Sequence, residues 1–381
     1  MKNNKNLNKE TLSRPTWVEI DLGVIRHNIR QLKKIAQKKM RMICVIKADA
    51  YGHGAVEVSR VLERTGVDYF AVTSIKEAVT LRRAGCRKPI LIFGLFEKRF
   101  IREVFRYQLT PTVCTLEMAR ALNQYAQKVN QEINIHIKID TGMGRLGVWQ
   151  DGALAFVQEI VRLTYLRTEG IYTHFPVADS DRPFTLSQIK RFSRLTHQLM
   201  RKGLVFLYIH SANSLGLTTY PQANFNCARP GLMLYGLSPT ENLKAPIKLK
   251  PAMTVKSKIM FLKEIAKGRS VSYGRTFIAK SKRKIATLPI GYNDGYMRLL
   301  SNKAFVLVDG KRCPVVGRIT MDQTMVDVTH IKNAEIETEV VLLGRQKGSC
   351  ISADELAQKA QTINYEIVCA MGNRLPRLYK K

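Results

Sequence analysis

From Met42 to about Gly236 this 381-residue chain alternates short β-type runs with helical periodicity, and no other feature constrains its fold as strongly. Candidate strands fall at 42–47, 69–73, 90–94, 110–113, 133–139, 168–173, 205–209 and 230–235. Ile25, Ile29, Leu32 and Ile35 mark one helix face before the first of them. Ser74 with Glu77 opens another helix as a capping box, and Leu186 to Lys202 forms a long amphipathic one. Strands separated by helices imply a parallel sheet. Eight of them in about 200 residues suit a closed (β/α)8 barrel, the TIM-barrel plan, better than an open sheet.

Around Ser238 to Pro251 the texture changes, through Pro239, Pro246 and Pro251. Beyond it short strands are expected at 253–263, 284–290, 304–308, 312–318, 324–328 and 339–344, without long helices between them. One helix interrupts them, with Ser352 as N-cap and Glu355 completing a capping box. The expected organisation is a loose arm over 1–14, a barrel over 15–240 and a mainly-β domain over 241–381.

Composition narrows the function classes. With 45% apolar and 24% charged residues the chain can bury a full core. No apolar run is long enough for a membrane span and the N-terminus lacks a signal-peptide apolar region, so a cytoplasmic protein is expected. Seven cysteines without CxxC spacing argue against a disulfide framework and against a zinc site, and no metal is expected. Cys44, Cys313 and Cys369 read as small core hydrophobes. The net charge of +32 is spread from end to end and attracts polyanions without a dedicated site. No nucleic-acid-binding motif accompanies it, so a basic surface over an enzyme is favoured over a nucleic-acid-binding protein.

Catalytic groups of a (β/α)8 barrel gather at the C-terminal ends of its strands. Lys47 stands there, in Met42-Ile-Cys-Val-Ile-Lys-Ala-Asp-Ala-Tyr-Gly-His-Gly54. So do His174, in Gly170-Ile-Tyr-Thr-His174-Phe, and His210, beginning His210-Ser-Ala-Asn-Ser214. Arg229 joins them in Ala228-Arg-Pro-Gly-Leu-Met-Leu-Tyr-Gly236. A lone strand-end lysine ordinarily snorkels to solvent. In partly apolar walls the ammonium form is disfavoured, which leaves a nucleophile able to form a Schiff base. No Walker loop or dinucleotide fingerprint is present. A phosphate would instead be held by Tyr51, Ser214 and backbone amides near Ser214 and Gly231.

From about Trp17 to the C-terminus these segments resemble the alanine racemases, enzymes that use pyridoxal phosphate (PLP) and share the barrel-plus-β-domain plan. The resemblance implies that Lys47 carries PLP, and that Tyr51, Ser214, Gly231 and Tyr235 surround its phosphate. It also implies that the strand at about 17–20 joins the β domain. Arg229 would face the pyridine nitrogen. A guanidinium cannot accept a proton, so it leaves that nitrogen unprotonated and favours racemisation over transamination. Val271-Ser-Tyr273-Gly-Arg-Thr matches the segment supplying a second catalytic base. Tyr273 would complement Lys47 across the α-carbon, aided by a network through His174 towards Arg229.

Gly317-Arg-Ile-Thr-Met321-Asp322 matches an element near the substrate carboxylate. In Ile137-Lys138-Ile-Asp-Thr-Gly-Met-Gly-Arg145, Arg145 would bind that carboxylate and Lys138 would be carbamylated. Tyr292 and Tyr365 match residues narrowing the entrance, which argues for alanine with serine tolerated. Asp49 stands where the family often has Asn. Sharing of each site between two protomers would make a homodimer the active form, serving D-alanine supply for peptidoglycan. A PLP barrel decarboxylase is disfavoured by Arg229, and a PLP-carrier protein by the β domain. His53, His210 and Asp294 are left as structural or supporting residues.

Overall fold

In the computed structural model, residues 14–37, 39–240 and 247–381 are described. The arm expected over 1–14 lies outside them except for Arg14, and so does the boundary at 241. Two compact units divide the chain. One comprises Ile25–Ala50 and Ala55–Lys250, and the other the chain up to Val24, Tyr51–Gly54 and Pro251–Lys381.

The first unit is the eight-stranded parallel barrel. Its strands are Arg41–Val45, Tyr69–Val72, Ile90–Ile92, Thr110–Val113, Ile133–Asp140, Leu166–Tyr172, Tyr208–His210 and Cys227–Ala228. Each pairs in parallel with its neighbours, and the last returns to the first through Cys227 opposite Arg41. Helices cover the strands. Ala78 and Leu81 of Ile75–Arg83 are buried, as are Ile189, Phe192, Leu195 and Leu199 of Arg182–Arg201. The capping box at Ser74 and Glu77 forms as expected. The long helix starts four residues earlier than its apolar pattern implied, because Asp181 caps it by accepting from the Phe184 amide at 2.9 Å.

Two barrel strands differ from expectation. The seventh is Tyr208–His210, with Val205 82% exposed before it. The eighth is Cys227–Ala228, and the run read as a strand at 230–235 is a buried 3-10 turn, Leu232–Tyr235. Pro230 has no amide to donate to a ladder, and its carbonyl accepts from Val45 instead. A short apolar run does not by itself distinguish a strand from a buried helical turn.

The second unit is β-rich. Its larger sheet runs Lys311–Pro314, Phe305–Val308, Glu339–Gln346, Met253–Lys258, Thr16–Asp21, Arg377–Lys380, with Ser349–Ile351 added to Glu339–Gln346. Thr16–Asp21 pairs antiparallel with Met253–Lys258 and parallel with Arg377–Lys380, so the N-terminal strand is interior to this sheet. A three-stranded sheet joins Phe261–Ile265, Arg283–Leu288 and Thr324–Asp327. The strand expected over 253–263 is thus two strands in different sheets. The one expected over 312–318 ends at Pro314. Ser352 caps Ala353–Ala360 by accepting from the Glu355 amide at 3.0 Å, but the Glu355 carboxylate pairs with Arg312 rather than closing a capping box. Cys44 and Cys313 are buried as expected, whereas Cys369 is exposed.

Candidate active site

The first barrel strand delivers Lys47 into a left-handed turn. Ala48, Asp49, Ala50 and Tyr51 all have φ between 51 and 55°, a region costing about 1–2 kcal/mol per non-glycine residue. Several bonds hold the turn. The Ala48 amide donates to the Glu77 carboxylate at 2.6 Å, the Ala50 amide to the Ile46 carbonyl at 3.0 Å, and the Ala55 amide to Asp49 at 2.7 Å. Glu77 therefore caps its own helix and anchors the turn after Lys47, a role its capping-box position did not announce. Tyr51 is buried and ends the turn. Burial first, then Tyr365 and Cys369, raise its phenol above the ordinary range.

Arg229 follows the eighth strand and is 3% exposed. Its Nη1 donates to His210 Nδ1 at 2.8 Å. Its Nη2 donates its two hydrogens to the carbonyls of Thr173 at 2.8 Å and Ser211 at 3.0 Å, with His174 Nδ1, at 3.3 Å, as a longer, shared acceptor. Burial pulls its pKa down to about 10, so it stays charged at neutral pH. Among the described residues no carboxylate lies within ion-pair range of it. Ser214 Oγ accepts from the Gly231 amide at 3.0 Å, which joins two of the expected phosphate neighbours. Tyr235 is fully buried and donates to the Val45 carbonyl at 2.9 Å, so it braces the first strand.

The strand Ile133–Asp140 presents Lys138 and Asp140, both buried. Asp140 accepts the amides of Gly142, Met143 and Gly144, each at 2.8 Å, and so shapes the loop leading to Arg145. Gly142 at φ 136° and Gly144 at φ 68° take conformations that favour glycine, which accounts for the Gly-Met-Gly spacing. Lys138 Nζ lies 4.6 Å over the Tyr172 ring. Burial, then Arg229, hold its pKa well below the ordinary lysine value, with Asp140 opposing.

His174 and His210 are likewise held well below the ordinary histidine value, each by burial first. Lys138 and Arg229 add to this at His174, and Arg229 and His136 at His210. His136 is lowered too, by burial against the opposing Glu169. The unfolded chain, with histidines near about 6.5, takes up protons first as pH falls. Stability from these rings is thus full above about pH 6.5 and declines below it. The expected result is a lower thermal midpoint at about pH 5.5 than at pH 7.5; an equal or higher one would mean that the rings are charged in the fold.

The second unit holds the other expected residues. Tyr273, Tyr292 and Met321 are 70%, 42% and 52% exposed. The loop after Gly317 ties their segments together. Ser272 Oγ donates to the Arg318 carbonyl at 2.5 Å, and the Tyr292 and Asn293 amides donate to the carbonyls of Thr320 and Met321. Asp322 pairs with Arg374 at 2.8 Å, and Tyr365 lies 6.1 Å from Tyr51 between ring centroids. Sequence reading passed over His136 as well, although it alternates in step with Lys138 on an inward face (a period-two signal available from the start).

Residues 20–239 match a family profile described as "Alanine racemase, N-terminal domain", and 252–379 one described as "Alanine racemase, C-terminal domain". The chain is 43% identical over 370 residues to an alanine racemase of Halothermothrix orenii, covering 97% of this chain and 98% of that one. It is 44% identical over 358 residues to one of Syntrophobacter fumaroxidans, covering 94% and 95%. A solved alanine racemase from Clostridium difficile 630 superposes with a TM-score of 0.93 at 36% identity, over 97% of this chain and 96% of that one. With both profiles matched in order and relatives aligned end to end, the chain belongs to the alanine racemase family of PLP-dependent enzymes.

Proposed function

We propose that the enzyme interconverts L- and D-alanine with Lys47 and Tyr273 as its two bases, in a homodimer whose sites draw on both protomers. Residues 15–240, apart from the N-terminal strand Thr16–Asp21, act as the PLP-binding barrel, and 241–381 with that strand as the β-rich domain. The cytoplasm is the proposed location, and D-alanine for peptidoglycan the proposed product.

Arg229 carries this reading. A buried guanidinium whose partners are neutral fits the lone pair of an unprotonated pyridine nitrogen, and no residue in this set would protonate it. The donor chemistry around Lys47, Ser214 and Gly231 fits the rest of PLP. When bound, PLP supplies a conjugated ring that takes up the electron pair left by the departing α-proton. Lys47 Nζ takes or returns that proton on one face, and Tyr273 Oη does so on the other.

His174 assists the tyrosine in a defined way. Its Nδ1 accepts from Arg229, so its single proton sits on Nε2. That N–H is offered to a phenolate oxygen, which favours the deprotonated tyrosine needed near neutral pH. Arg145 binds the substrate carboxylate. Lys138, whose ammonium form is disfavoured by burial and by Arg229, reacts as the free amine: it adds carbon dioxide with loss of a proton and becomes an anion that orients Arg145. Tyr292 and Tyr365 narrow the entrance for a small side chain, with Met321 and Asp322 beside the carboxylate.

Shared sites are supported by the exposure of Tyr273, Met321 and Tyr292. Loss of optical rotation from L-alanine tests the reaction. Complementation tests the sharing. Lys47→Ala and Tyr273→Phe homodimers should each be inactive. Dissociated and reassociated in equal amounts, they should regain about a quarter of wild-type activity, since about half the dimers are mixed and each holds one intact site. No recovery would mean that both bases come from one protomer.

A further inference from the structure

Behind Arg229 the barrel interior holds a line of polar groups with a forced direction. Arg229 Nη1 lies 2.8 Å from His210 Nδ1, and a guanidinium can only donate. His210 must accept there, so as a neutral ring it carries its proton on Nε2. That nitrogen lies 2.9 Å from His136 Nδ1, which accepts in turn. The proton of His136 is then on Nε2, facing Glu169 Oε2 at 3.8 Å, an ionic separation too long for a hydrogen bond. Tyr69 Oη donates to the same Glu169 oxygen at 2.6 Å and stands 2.8 Å from Thr110 Oγ1.

The line is shielded from water. His136 and His210 are fully buried, and Glu169 is 16% exposed. Tyr172 stacks on His210 at 4.7 Å and 4°, and Tyr208 stacks on His136 at 5.6 Å and 30°. The backbone makes room as well: a Cβ on Gly170 would stand 2.5 Å from the His136 ring. Gly170 is thus small because His136 occupies the place of its side chain.

We propose that His136 and Glu169 are positioning residues for Arg229. Glu169 sets a negative charge at the far end of a one-way line, Arg229 to His210 to His136, and His136 keeps His210 in the tautomer that receives the guanidinium. The line also gives the buried cation a distant counter-charge without a carboxylate beside the pyridine nitrogen, where it would promote ring protonation. This rests on the reading that Arg229 faces the cofactor; the tautomers themselves do not.

The test uses the full-length, PLP-loaded enzyme labelled with 15N-histidine, its ring resonances assigned through H210Q and H136Q. His210 and His136 should each show a bare Nδ1 and a protonated Nε2. Glu169→Gln should move both rings' resonances and lower kcat about tenfold, ~1.4 kcal/mol of barrier, with KM for alanine changed less than about twofold. A protonated His210 Nδ1, a charged imidazolium at either ring, or E169Q leaving the resonances or kcat unmoved overturns the proposal. If E169Q does not fold, Gly170→Ala displaces the His136 ring directly and is read in the same way. A protein with the expected tautomers but no racemisation would refute the racemase reading alone, whereas an active racemase with the opposite tautomers refutes the relay alone.

Discussion

Lys47→Ala is expected to lose racemisation by at least about 10⁴-fold while the protein keeps its fold. The same substitution should remove the visible absorption of bound cofactor, which in the wild-type enzyme should vanish on borohydride reduction. The two effects separate because of where Lys47 sits. The neighbouring strand is held by ladder bonds and the turn by Glu77, Ile46 and Asp49, all acting on other residues. Lys47 is half-buried, and truncating it leaves those bonds in place, so the stability change should stay within about 1 kcal/mol. A variant retaining both colour and activity would remove Lys47 from the chemistry altogether.

Arg229→Ala should fail in both respects. Removing the guanidinium leaves His210 Nδ1 and the carbonyls of Thr173 and Ser211 without a donor, deep in the barrel. Each unsatisfied buried acceptor costs about 1–3 kcal/mol. Relief of the buried charge and entry of water offset part of this, so a net loss of about 2–4 kcal/mol is expected. That corresponds to a fall in thermal midpoint of about 5 °C or more, measured without added cofactor. Activity should fall with it, since the ring nitrogen loses its neighbour and His174 the bond that sets its tautomer. An unchanged midpoint would mean that these contacts are not made as described.

Much of this was legible in the sequence. Alternating strands and helices identified the barrel, and Lys47, His174, His210 and Arg229 all stand at strand ends. The errors came where two conformations share one pattern. Leu232–Tyr235 is apolar enough for a strand, yet it is a turn set by Pro230 and Gly231. Cys369 has apolar neighbours in sequence, but it lies near the exposed end of a seven-residue helix. The supporting partners were harder to read, because Glu77, His136 and Glu169 act across strands, and one chain without its folded geometry does not say which polar residues meet. His210, set aside as supporting, is the direct partner of Arg229.

The turn after Lys47 has a consequence for the handedness of the chain itself. Ala48 and Ala50 are L-residues held at φ near 50°, the torsions in which a D-alanine would rest without strain. The site assigned to inverting alanine is thus introduced by two alanines bent into the geometry of their own mirror image. A β-branched side chain there would be excluded on sterics alone. The stretch can vary only among residues that tolerate the wrong hand, whatever their chemistry.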